Sequence, residues 1–191
     1  LHLCNKNMEN MDTNNDGKAK DNLLLEVCMA AKYEGDSIRD YYTKHEHKYK
    51  DTGTASQLCT VLARSFADIG DIVRGKDLFY GNTQEKEKRD ELDDKLKKIF
   101  EKIHGGLTST NGVKERYGSD KENYFQLRED WWTVNRHTVW EALTCDARDN
   151  AEYFRETPCD GGTTRINKQC RCPNGNNQVP TYFDYVPQYL R

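Results

Sequence analysis

The sequence predicts a mainly α-helical domain, held by disulfides and interrupted by long loops. Three observations predict it. Apolar residues recur at helical spacing in four long stretches, nothing keeps the two-residue alternation of a strand for long, and seven cysteines include a close pair, Cys170 and Cys172, in a Gly- and Asn-rich loop. A chain of 191 residues can bury one substantial core, so residues 1–191 are expected to form a single domain. Charged residues make up 32% and the mean hydropathy is −1.02, yet 11 Tyr and 3 Trp remain to build that core.

In the first helical stretch Leu24, Val27, Cys28 and Ala31 share a face, continued past Gly35 by Ile38, Tyr41 and Tyr42. Gly35 is expected to weaken, bend or break it. The second opens with Thr54 and Gln57 in a capping-box arrangement, carries Leu58, Val61, Leu62, Phe66, Ile69 and Val73, and stops at Gly75. The third runs from about Glu85 to His104, with Leu92, Leu96, Ile99, Phe100 and Ile103 on one side, and is expected to stop at Gly105 and Gly106. The fourth, from about Lys121 to Asp146, sets Leu127, Trp131, Val134, Val139, Trp140 and Leu143 over too wide an arc for a surface helix and should be central. Thr157 to Pro180 is a loop long enough to need staples or a function.

A net charge of −3 and a pI near 6.0 remove the basic footprint of a general nucleic-acid binder, so any polyanion site must be a local patch. No run approaches the ~18 apolar residues of a membrane span, and no signal-peptide pattern opens the chain. Seven cysteines point to an oxidising compartment. Their odd number means a free thiol, an intermolecular bond or a partner upstream of Leu1, the last being preferred with Cys4 as the orphan. None of the 15 asparagines begins a glycosylation sequon.

Several motifs suggest chemistry and fail it. Gly70, Gly75 and Lys76 have Walker A spacing, but Asp77 stands where a magnesium-binding hydroxyl is needed, and the apolar spacing puts Gly70 inside a helix. Asp12, Asn14, Asp16 and Gly17 imitate an EF-hand loop whose twelfth position is Leu23, so a solvated turn is the better reading. Cys159, Cys170 and Cys172 with His137 could offer soft ligands to zinc, yet their spacing favours disulfides. Cys59 has no nucleophile signature and sits on an apolar helical face. His45 and His47 point to different sides of a helix. No metal, cofactor or catalytic site is expected, and the chain is not read as an enzyme. The run from Glu85 to Lys98 balances six basic against six acidic residues and cancels itself. Lys44 to Lys50 carries three lysines against one acid and is the best local basic patch, unless its charges simply complement a helix C-terminus.

Two blocks, ARSFADIGDIVRGKDLFYGN at Ala63 to Asn82 and VPTYFDYVPQYLR at Val179 to Arg191, resemble the alpha class of Duffy-binding-like domains of erythrocyte membrane protein 1. This is the variant surface antigen of Plasmodium falciparum. Further blocks agree in order: LHLC at Leu1, LLLEVCMAAKYEG at Leu23, REDWWTVNR around Trp131 and Trp132, WEALTC at Trp140, and QCRC at Gln169. The resemblance spans nearly the whole chain and implies a disulfide-bonded helical adhesion domain, of which this chain is the central portion, truncated at both ends. It also implies that Cys4 pairs upstream. That leaves Cys28, Cys59, Cys145, Cys159, Cys170 and Cys172 as disulfide candidates, internally or with downstream partners, in any of 15 connectivities if all pair internally.

The implied function is adhesion of infected erythrocytes through a host-cell surface receptor or sulfated glycan, as in rosetting, with display of variable epitopes to host antibodies. The implied setting is the extracellular face of the infected erythrocyte membrane, in a membrane-anchored protein, beside a cysteine-rich interdomain region. No direct membrane insertion by this segment and no nucleic acid partner are expected. The alternative is a structural scaffold and antigenic display domain whose receptor contacts lie in neighbouring segments. For a sulfated glycan, Lys44, Lys48 and Lys50 are the expected contacts, because nothing nearby cancels their charge.

Overall fold

The structure, a computed structural model, describes residues 6–9, 18–49, 57–78, 82–107, 113–147, 149, 151–173 and 179–191. Among the described residues six α-helices follow in order: α1 (Lys6–Glu9), α2 (Ala19–Tyr49), α3 (Leu58–Arg74), α4 (Thr83–Leu107), α5 (Val113–Tyr117) and α6 (Phe125–Thr144). Single 3₁₀ turns at Lys168–Cys170, Phe183–Tyr185 and Gln188–Leu190 complete the described elements. The helix α6 packs on α2 and α3, as its wide apolar arc implies. Trp132 and Trp140 are fully buried there against Phe66 from α3, with ring centroids 5.1 and 5.2 Å from it. Each such aromatic contributes a few kcal/mol, roughly 3–5 by the usual cost of truncation to Ala.

Three sequence expectations are corrected. Gly35 neither breaks nor ends α2, which runs unbroken for 31 residues. It is the point where α2 meets α6: a Cβ there would lie 2.0 Å from the Leu143 carbonyl oxygen, so glycine is what lets the helices touch. The helix α4 continues through Gly105 and Gly106 to Leu107, which packs partly buried against the core and offsets the ~1 kcal/mol that each glycine costs a helix. Val134 and Tyr41, assigned to apolar faces, are exposed, because the core side of each helix is narrower than the spread of its apolar residues. The start of α3 lies at Leu58, with Gln57 as an N-cap making no side-chain bond; Thr54, like Asp12 to Gly17, falls outside the described residues.

The end of α3 behaves as the spacing predicts. Gly75 takes a left-handed conformation (φ 71°), its N–H donates to the Ile72 carbonyl, and the Lys76 N–H donates to the Asp71 carbonyl. The buried Arg128 of α6 donates to the Val73 and Ile72 carbonyls at 2.7 and 3.0 Å and to Asp93 of α4 at 2.8 Å. The Val73 carbonyl is one that a helix end leaves without an intrahelical partner, and the Ile72 carbonyl, already bonded to Gly75, accepts a second bond. Gly70 faces the Trp132 indole, which a Cβ would approach to 2.8 Å. The imitation of a phosphate loop is thus a helix terminus sealed by an arginine from the central helix. Asp77 is paired with Arg89 at 2.6 Å.

The second signature block closes over the first. Asp184, fully buried, accepts from Trp132 Nε1 at 2.9 Å and from Arg136 at 2.8 and 2.7 Å. Arg74, also buried, donates to the Gly70 carbonyl, to Asp71, to Glu129 and to the Asp184 carbonyl. Arg191 reaches Asp68 and Asp71 at 3.1 and 2.5 Å. One polar network therefore joins α3, α6 and the C-terminal segment.

Gly35→Ala is expected to lower stability by at least ~1–3 kcal/mol through forced separation of α2 from α6. Gly105→Ala, with open space around it, is expected to be neutral or to gain up to ~1 kcal/mol. Urea unfolding of the two variants measures the contrast.

Candidate functional site

The cysteines divide into staples and thiols. Cys59 on α3 bonds Cys170, closing 111 residues, and Cys159 bonds Cys172 across 13. The first ties α3 to the loop after α6, where the Cys170 carbonyl accepts from Trp140 Nε1 at 3.1 Å. The second fixes the base of an exposed turn, Cys159 to Thr164, whose Asp160, Gly161 and Gly162 all have positive φ. The long loop is stapled twice, and these cysteines offer no thiolate to a metal with His137. Cys28 and Cys145 are free thiols, so these two candidates are not joined to another described cysteine; Cys4 lies outside the described residues. Burial and the Glu141 charge push the Cys28 thiol up to about 11. Burial and a hydrogen bond to Asp146 raise Cys145 as well.

Of the expected glycan contacts, Lys44 is exposed near the C-terminal end of α2. The Lys48 side chain and all of Lys50 lie outside the described residues, as do the side chains of His45 and His47. In the self-cancelling run, Lys97 pairs with Asp93 at 3.0 Å, but Asp93 also serves Arg128. Burial works to raise the Asp93 carboxyl, and Arg128 and Lys97 outweigh it to leave it below its ordinary value. Sequence reasoning missed this role, since the arginine that claims Asp93 is 35 residues away.

Sequence reasoning also missed the surface that the disulfides shape. Phe154, half exposed, follows the buried Tyr153, and the two rings lie 4.7 Å apart. Beside them opens a cleft of about 560 Å³, between residues 151–156 and Arg165 and Ile166, which follow the stapled turn. Among the described residues no group of three His, Cys, Asp or Glu side chains is placed to hold a metal, and no described helix is long and apolar enough to cross a membrane.

Alkylation by iodoacetamide at pH 8, followed by peptide mass spectrometry, is expected to label Cys145 before Cys28 and to leave Cys59, Cys159, Cys170 and Cys172 unlabelled. Equal rates at Cys28 and Cys145, or uptake at a half-cystine, would contradict this assignment.

The Duffy binding domain family model matches residues 1–191. The solved NTS-DBL1(alpha-1) domain of the Plasmodium falciparum membrane protein 1 of the varO strain is 40% identical, with a TM-score of 0.74 over 99% of this chain and 40% of that one. The ICAM-1-binding DBLbeta domain of PfEMP1 IT4var13 is 33% identical, with a TM-score of 0.70 over 100% and 39% of the two chains. The same DBLbeta domain bound to ICAM-1 matches at 31% identity and a TM-score of 0.65, over 99% of this chain and 40% of that one. No curated protein matches in sequence. The chain spans about two fifths of the length of these solved relatives. With the family model matched end to end and the fold shared with solved relatives, the chain belongs to the Duffy binding domain family.

Proposed function

We propose that this chain is an adhesion module of a variant surface antigen, the central portion of a longer domain carried on the outer face of the infected erythrocyte. In this reading it binds a host-cell receptor or sulfated glycan and displays variable epitopes to antibodies. The observation that carries the reading is family membership together with a DBLbeta relative whose structure includes ICAM-1. The described interior supports it: the signature residues are committed to packing and buried ion pairs, which leaves recognition to exposed side chains. Lys44, Lys48 and Lys50 are the proposed contacts for a sulfated glycan, since several ammonium groups can meet sulfates together.

The alternative, a scaffold and display domain with receptor contacts elsewhere, is favoured by the limited share of the relatives that the chain covers. Binding of the longer domain, but not of this chain, to red cells would select it.

Heparin chromatography tests the lysine assignment. The triple variant Lys44→Ala, Lys48→Ala, Lys50→Ala is expected to elute at clearly lower salt than the parent. Unchanged elution would remove these lysines from the site.

A further inference from the structure

The cleft beside Phe154 has two walls, anchored to different parts of the fold and spanned by the Arg165–Glu156 ion pair. Residues 151–156 are pinned to the start of α3: the Cys59 N–H donates to the Glu152 carbonyl at 3.1 Å, and the Phe154 N–H donates to Thr60 Oγ1 at 2.9 Å. The opposite wall, Arg165 and Ile166, follows Thr164, whose carbonyl accepts from the Cys159 N–H at 3.0 Å beside the Cys159–Cys172 bond. Among the described residues no backbone hydrogen bond joins the two walls, and the main-chain groups of Arg155, Arg165 and Ile166 make no backbone–backbone hydrogen bond. The space between them, about 560 Å³, falls within the ~300–1,000 Å³ of small-ligand sites.

The charges in the cleft divide in the same way. Arg165 is paired with Glu156, and Asp149 with Lys168 at 2.9 Å. Glu152 and Arg155 also line the cleft, are exposed, and have no ion pair among the described residues. The Arg155 guanidinium lies 5.9 Å from the centre of the Phe154 ring, so one aromatic face, one open cation and one open anion stand together. Anchored walls with open main-chain groups suit an extended chain, which binds by its backbone and is selected by its side chains. An aromatic ring beside an arginine is the composition that dominates binding energy at protein contacts.

We infer that this cleft receives an extended peptide segment of a partner protein, one that carries an acidic and a basic side chain about three residues apart around an apolar one. The acidic group meets Arg155, the basic group meets Glu152, and the apolar side chain lies on Phe154. The spacing follows from the wall itself: three residues span at most ~11 Å, so the partner's two charges must be separated by a similar length of extended chain. The inference names a surface and a ligand chemistry that the adhesion reading leaves open, and it stands apart from the lysines of α2, since the ligand here is a protein segment and not a sulfated sugar.

Fluorescence anisotropy on the 191-residue chain tests it with labelled, end-capped hexapeptides. One is Ser-Lys-Val-Val-Glu-Ser, the second has the two charges interchanged, and the third has Ser at both charged positions. One charged order is expected to bind saturably and at least ~10-fold more tightly than the uncharged peptide. The double variant E152R/R155E, altered only at exposed positions and checked for unchanged urea unfolding, is expected to prefer the opposite order. Failure of both charged peptides to exceed the uncharged one, or an order preference that survives the exchange, would overturn the inference.

Discussion

The carboxylate of Asp184 is wholly buried, and much of the fold is arranged around its charge. Removing such a group from water costs several kcal/mol, and the cost is tolerated only when hydrogen bonds occupy its lone pairs. Here Arg136 supplies two and Trp132 a third, while the guanidinium of Arg136 lies 5.4 to 5.6 Å from the ring centres of Phe66, Tyr182 and Tyr185. Both donors to the carboxylate come from α6, Phe66 beside Arg136 and Arg74 on the Asp184 carbonyl come from α3, and Asp184 itself comes from the last thirteen residues, so the charge is buried as these three parts assemble. Asp71 shows that the cost is real. Burial raises its carboxyl above the ordinary value even with Arg191 and Arg74 beside it. Because that folded value lies above the unfolded one, ionisation of Asp71 works against folding, and this opposition is relieved as the pH falls through the raised value.

This constraint explains the separation of scaffold from recognition. The two blocks that carry the family resemblance, around Gly70–Gly75 and Tyr182–Arg191, contact one another through Arg74, Asp71, Arg191 and Asp184. Substitution inside the network strands a charge, whereas substitution at Lys44, Glu152 or Arg155 strands nothing. Surface chemistry can therefore change while the frame stays fixed. The disulfides extend the same logic to the loop after α6, where a long connection becomes two anchored walls with a cleft between them.

Much of the helical frame was legible because it is local. The apolar spacing of α3, its stop at Gly75 and the centrality of α6 depend on residues within a few turns of one another. What was not legible depends on distant partners. Gly35 reads as a helix breaker until the Leu143 carbonyl is placed against it. Arg128 and Arg136 stand within α6, and nothing near them in sequence announces the Val73 carbonyl or Asp184, 55 and 48 residues away. A charged residue in the middle of a wholly apolar helical arc was the one available signal, since such a charge must find a buried partner. The cleft left no signal, because its shape follows from which cysteines pair, and spacing alone left that open.

A double-mutant cycle on Arg136→Met and Asp184→Leu, read by urea unfolding, tests the central role of the buried charge most directly. Either single change strands its partner and is expected to cost ~3–5 kcal/mol, whereas the double variant should cost less than the sum by ~2 kcal/mol or more. Strictly additive losses would contradict the account, because they would mean that the two groups stabilise the fold independently and that the charge pair does not hold the two segments together.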